Sequence, residues 1–365
     1  MNYLTKTFSC VLLFSLTTIF CHAQTPAAVP APDTTKKDTP LVITGGVDVF
    51  YRGSTNGAPS LTSYTSAVNS FQLGMINLQV SKDFGKIGFM GDLFFGPRAQ
   101  ETNYNYVNTT GSASTLTLIK QLYVYYKPTD KLKFTFGNFS TYFGYELIES
   151  YNNVNYSTSY IFTNFPFFHT GIKAEYAFTP KITGMIGVFD LTDYKSFSGH
   201  KHVGAQLAYV DGPFKGYLNF LNGTGIDSAL SNNTTVDFTG SYQVTTKFGL
   251  GLNLAYKNAS PDAKFRTVKS TSVTGIAVYA NYAVSDKFLL ALRAESFDDT
   301  KGLVGYGTTM NEFTFSANIK LDALTFIPEI RYDAAGDSKK LFIDPVTQIG
   351  YTSDFTYLLA AVYKF

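Results

Sequence analysis

Three scarcities bound this sequence of 365 residues. Cysteine occurs twice, at Cys10 and Cys21, both within the first 23 residues. Beyond them the chain has no disulfide, thiolate nucleophile or thiolate metal site to offer. Charged residues are only 15% of the total and balance to +2, which excludes the basic field of a nucleic-acid binder. After the amino-terminal stretch, no apolar run is long enough to cross a membrane as a helix. Tryptophan is absent, histidine numbers four, and no serine stands in a Gly-x-Ser-x-Gly elbow.

What is abundant is tyrosine and phenylalanine, which bring aromatics to 16%. They recur with a period of two. In the last eleven residues, Phe355, Tyr357, Leu359, Ala361, Tyr363 and Phe365 share one parity and Thr356, Leu358, Ala360, Val362 and Lys364 the other. Period two means a strand with one oily face. Its length suits a tilted membrane-crossing strand of roughly 9–11 residues. An aromatic strand ending in Phe365 also resembles the terminal signal of bacterial outer-membrane barrels, so Tyr363 and Phe365 are expected on a barrel-closing strand read by the barrel-assembly machinery.

Residues 1–23 read as a secretory signal: Lys6 at the start, an apolar core from Val11 to Phe20, and a small-residue cleavage site at Cys21-His22-Ala23. Residues 24–40, rich in Pro, Ala and Thr, read as a flexible periplasmic lead-in. Residues 41–365 repeat one unit of strand, polar stretch, strand and tight turn. Lys82-Asp83-Phe84-Gly85-Lys86, Asp211-Gly212-Pro213 and Ser285-Asp286-Lys287 are examples of the turns. Short turns alternating with long loops predict an all-β fold. It would be a transmembrane antiparallel β-barrel of about 16 strands (14–18), with short periplasmic turns, long extracellular loops and both termini periplasmic.

A membrane barrel turns its oily parity to lipid. The other parity then faces inward, placing Asp48, Arg52, Asp92, Lys173, Glu175, Arg293, Glu295, Glu329 and Arg331 in the lumen. A lipid-facing Lys or Arg would cost roughly 2–4 kcal/mol. Arg293 with Glu295, and Glu329 with Arg331, put opposite charges two residues apart on one face. They read as pairs solvated by lumen water or, more sharply, as a ladder that orients solute. The third long loop, about 140–166, is too apolar to wave in water. It is expected to fold into the barrel, with Tyr145–Tyr151 forming a short helix and Tyr145, Glu146, Glu149 and Asn152 at a constriction.

Gly137-Asn138-Phe139, Phe143-Gly144-Tyr145-Glu146, Asn155-Tyr156-Ser157 and Pro166-Phe167-Phe168-His169-Thr170-Gly171 make the chain similar to the β-barrel porin family described as OmpL-like. The opening Gly45-Gly46-Val47-Asp48-Val49-Phe50-Tyr51 fits the same pattern. The resemblance implies an outer-membrane porin of a Gram-negative, Bacteroidetes-type bacterium; it supplies no substrate and no catalytic residue. The expected function is passive diffusion of small polar solutes, in contact with outer-membrane lipid, without cofactor or metal, and with a homo-oligomer left open.

Two rivals stand beside it. An outer-membrane lipid or ester hydrolase would need a nucleophile and base in register. His169 begins a strand, His200 and His202 read as solvated rim groups, and Glu146 with Glu149 is a weak carboxylate pair. A transporter of hydrophobic compounds would want an apolar lumen and a plug, which a short polar lead-in does not provide.

Overall fold

The computed structural model describes residues 39–106, 114–196, 199–225, 230, 232–261 and 268–365. The signal segment and nearly all of the lead-in lie outside the described residues. Sixteen strands close into a ring in which each pairs antiparallel with its chain neighbours. They are β1 (Val42–Ser54), β2 (Ser70–Asp83), β3 (Ile87–Phe95), β4 (Ile119–Tyr126), β5 (Leu132–Ser140), β6 (Phe168–Ala177), β7 (Ile182–Asp190) and β8 (Lys201–Asp211). Then follow β9 (Phe214–Thr224), β10 (Asn232–Gln243), β11 (Phe248–Ser260), β12 (Thr271–Ser285), β13 (Phe288–Asp298), β14 (Thr309–Leu321), β15 (Leu324–Ala335) and a closing strand, Ser353–Lys364. The closing strand lies between β15 and β1 in a register that sets Asp48 opposite Val362 and Gly53 opposite Tyr357. The closed ring itself has no unpaired edge strand, which satisfies its backbone in a solvent that offers no hydrogen bonds.

The two ends of the ring differ as the turn and loop signals require. At one end the chain reverses in a few residues: Phe84 N donates to Ile87 O at 2.7 Å, around Gly85 at φ 86°. A side chain at Gly85 would be strained in that conformation. At the other end the connections are long. That between β3 and β4 carries a helix, α1 (Pro97–Thr102), and that between β5 and β6 runs from 141 to 167 and carries α2 (Tyr160–Asn164).

Side-chain direction follows the period of two. On the closing strand Leu359 is 51% exposed and its neighbour Leu358 only 7%. Phe71, Ile186, Phe136 and Phe313 on other strands likewise stand out from the ring. The inner parity is less uniformly polar than the sequence suggested. Leu358, Ala360 and Val362 pack inside with Phe50, Ile327 and Tyr156, and Phe139, Tyr142, Phe143, Met185, Phe189 and Leu221 form a second internal cluster.

β4 begins only at Ile119, because Thr115–Leu118 makes a turn of 3-10 helix with Ser114 as its cap. One local expectation fails. No helix forms over Tyr145–Tyr151; only Ser150–Asn152 is helical, as one 3-10 turn. A helix would give the Leu147 carbonyl to Tyr151 N, but the Asn153 side chain donates to it at 2.6 Å instead.

Candidate functional site

The residues 141–167 make a circuit of the wall. Near its start, Tyr142 Oη donates to the Phe220 carbonyl of β9 at 2.9 Å, and Gln206 of β8 donates to Tyr142 O at 3.3 Å. Gly144 N donates to Asp237 of β10 at 3.2 Å. The Tyr145 ring stacks on Tyr279 of β12 with centroids 4.2 Å apart. Asn155 donates to Ser316 of β14 at 2.7 Å, and Asn318 of β14 donates to Val154 O at 2.8 Å. On the far side Tyr156 Oη bonds Asp48 of β1, Tyr151 Oη donates to Asn77 of β2 at 3.0 Å, and Glu149 pairs with Lys120 of β4.

The strongest ties are carboxylates that receive pairs of backbone amides. Glu295 of β13 accepts Tyr160 N at 2.6 Å and Ile161 N at 2.7 Å, at the start of α2. Glu329 of β15 accepts Tyr156 N at 2.7 Å and Ser157 N at 3.0 Å. Asp193, in the connection between β7 and β8, accepts Phe167 N at 2.8 Å and Phe168 N at 3.1 Å. Amides freed from secondary structure and buried must find partners, and ionised acceptors make the stronger bonds. Asp193 lies outside the strands, and burial lifts its carboxyl to about 6, against the two amides and Lys257 and Lys195. Burial likewise lowers the Lys195 ammonium to about 7, where it bonds Asn103 and sits 4.5 Å above the Phe168 ring.

The side chains of the four residues expected at a constriction each go to a different partner. Glu146 pairs with Arg293 of β13 and accepts Ser159 N and Oγ at 2.8 Å each. Glu149 pairs with Lys120, which also holds Asp92 at 3.1 Å. β13 and β4 are nine strand steps apart one way round the ring and seven the other, so the two carboxylates face nearly opposite walls. Tyr145 is buried against Tyr279, and Asn152 accepts Lys364 Nζ at 3.1 Å.

The expected charge pairs are rearranged too. Arg293 does not pair with Glu295. It is fully buried, its Nε bonds Glu312 at 2.5 Å, and its other nitrogens reach Glu146, Ser157 and Thr314. Arg331 pairs with Asp333 at 2.7 Å rather than with Glu329, and donates to Thr158 O at 2.7 Å. Arg52 is held by Ala58 O, Ala67 O and Asp354, and Asp48 accepts Met75 N at 3.1 Å. Lys173 and Lys133 each reach Glu175 at 3.4 Å. A buried charge is tolerated when several partners satisfy it, which a lone neighbour two residues away cannot do. Tyr363 and Phe365 are exposed on the outer face beside the seam, where Phe365 N and O bond Gly45 O and N at 3.0 Å.

The three described histidines are each hydrogen-bonded to loop or strand groups. His169 is buried, its Nε2 3.0 Å from Thr141 Oγ1 and its ring beside Tyr142 and Phe189. His202 is buried rather than a solvated rim group, bonded to Thr192 Oγ1 and Thr224 O, while His200 reaches Thr224 O at 3.2 Å. Parity alone would have found Asp237, Glu312, Asp333 and Asp354, which share the inner face of their strands. Arg98 gave no such signal. It stands in α1, stacked 4.4 Å from the Tyr64 ring, 3.6 Å from Asp48, and donating to Ile148 O at 3.0 Å.

The family model described as "Putative beta-barrel porin-2, OmpL-like" matches residues 40–365. Among solved structures, OmpT of Vibrio cholerae, an outer membrane protein, in its trimer form, is 11% identical with a TM-score of 0.57. That match covers 90% of this chain and 100% of the other. A mutant of the Rh. blastica porin is 10% identical with a TM-score of 0.55, over 89% of this chain and 100% of its own. At these identities the likeness is one of fold. No curated protein matches the sequence.

Proposed function

Because the chain belongs to the OmpL-like β-barrel porin-2 family, we propose that it is an outer-membrane porin through which small polar solutes diffuse passively. In this reading the segment 141–167 is folded inward and sets the narrowest section. The observation that carries it is the pairing of Glu329 and Glu295 with four amides of that segment. A connection that merely covered the barrel mouth would leave those amides to water. Here buried wall carboxylates take them, so the segment stays put while solute passes beside it.

The turn end faces the periplasm in this proposal, with both termini there, and Tyr363 and Phe365 form the signal for the barrel-assembly machinery. No reaction is assigned, since Glu146 and Glu149 are each matched to a separate cation on nearly opposite walls. The test is conductance of the purified full chain in planar bilayers, with liposome swelling across sugars, amino acids and peptides. Stepwise conductance is expected, and deletion of 145–155 should raise both the step size and the size cutoff. An electrically silent barrel, or a deletion that leaves both quantities unchanged, overturns the passage or the constriction respectively.

A further inference from the structure

At the turn end, below the tip of the interior segment, lies a cavity of about 240 Å³. Lys320 of β14 and Lys364 of the closing strand both line it. They stand on strands separated by β15, in a register that sets Lys320 opposite Thr325 and Thr325 opposite Val362. Three other lysines towards this end are matched: Lys133 and Lys173 share Glu175, and Lys127 holds Asp83 at 2.8 Å. Lys364 is held by the neutral Asn152 amide and lies over the Tyr151 ring. Lys320 has no ion-pair partner among the described residues; the nearest influence on it is Asp286 in a neighbouring turn.

Two further features point to a ligand. Ser150 is among the residues lining the same cavity, and its hydroxyl is fully buried with no hydrogen-bond partner among the described residues. A buried hydroxyl without a partner costs free energy that a bound acceptor would restore. The rest of the lining is largely apolar, with Val154, Leu289 and Ile327. Among the lining residues two ammonium groups stand against one carboxylate, Asp322. A few placed polar groups on an apolar wall are the make-up of a small-molecule site.

We propose that this cavity binds a small amphipathic monocarboxylate, its carboxylate between Lys320, Lys364 and Ser150 and its hydrocarbon part against Val154, Leu289 and Ile327. It deepens the porin reading by naming a class of solute that the barrel would hold on its way through, and rests on that reading for its role in passage.

The experiment uses the full chain in detergent, with hexanoate as probe and calorimetry as readout. Hexanoate should bind, and the Lys320→Gln, Lys364→Gln pair should weaken it at least about tenfold, as the loss of charge-assisted bonds requires. Lys301→Gln, on a loop at the other end, should leave binding unchanged. Lys320→Gln alone, which leaves the closing strand intact, should still weaken binding severalfold if the double variant fails to fold. Hexylamine should not bind. Failure of wild-type protein to bind hexanoate, or equal binding by a folded Lys320→Gln variant, overturns the site. Inorganic phosphate binding as tightly as hexanoate overturns the amphipathic class. Conductance is measured separately: a sealed barrel that binds hexanoate keeps the site and removes the passage, and a conducting barrel that does not bind removes the site alone.

Discussion

Glu329 receives the Tyr156 amide at 2.7 Å, so a wall strand and a residue 173 positions earlier share one buried bond. The same carboxylate accepts Ser157 N and Ser316 Oγ, and a neutral amide side chain has one oxygen to do that work. Glu329→Gln should therefore loosen the segment by about 1.5–3 kcal/mol while leaving the ring intact. The expected outcome is a larger and noisier single-channel conductance with unchanged strand content by circular dichroism.

Arg293 is the cation on which Glu146 and Glu312 both depend. Arg293→Met leaves Glu146 without a cation and Glu312 with only Arg331 at 3.7 Å, and should cost about 3–5 kcal/mol. The urea midpoint of the folded barrel in bilayers reads this directly. Arg293→Lys should recover only part of the loss, because one ammonium cannot reach acceptors on Glu312, Glu146, Ser157 and Thr314 from three nitrogens.

Asp193 sets a pH dependence at the loop end. Its carboxyl is raised from 3.8 to about 6, so the folded state favours the protonated form. The resulting stabilisation is fully present below pH 3.8 and is lost as pH rises through about 6. It is bounded at about 3 kcal/mol. The urea midpoint of the folded barrel should fall across that window. Asp193→Asn keeps the acceptor, tolerates the φ of 61° and should flatten the profile.

Leu358 and Leu359 are adjacent and face opposite ways. A fluorophore on Leu359→Cys should be quenched by brominated lipid and one on Leu358→Cys should not. Leu359→Arg should cost about 2–4 kcal/mol near the bilayer middle, measured by the same urea titration.

The ring itself was legible because each strand repeats its own period and each turn carries its own Gly, Pro or Asp. Phe355 to Phe365 needs no distant residue to declare an oily face. The circuit of the interior segment was not legible in the same way. Parity says that Glu295 and Glu329 point inward, but not that their partners are the amides of Ile161 and Tyr156. Those partners lie more than a hundred residues away and present backbone, which carries no residue signature. The helix at Tyr160–Asn164 did leave one, since Ser159 Oγ accepts Phe162 N at 3.0 Å as an N-cap. The apolar spacing over Tyr145–Tyr151 pointed to the wrong turn because the Asn153 side chain takes the Leu147 carbonyl that a helix would need.

Leu358, Ala360 and Val362 rest on Tyr156 at the very place where the first and last strands meet. Ring closure and seating of Tyr156 therefore draw on the same side chains, and disturbing one disturbs the other. An assembly intermediate with an open seam would carry that interior segment half-docked, and late stalling during biogenesis is the fault to look for in variants of Tyr156.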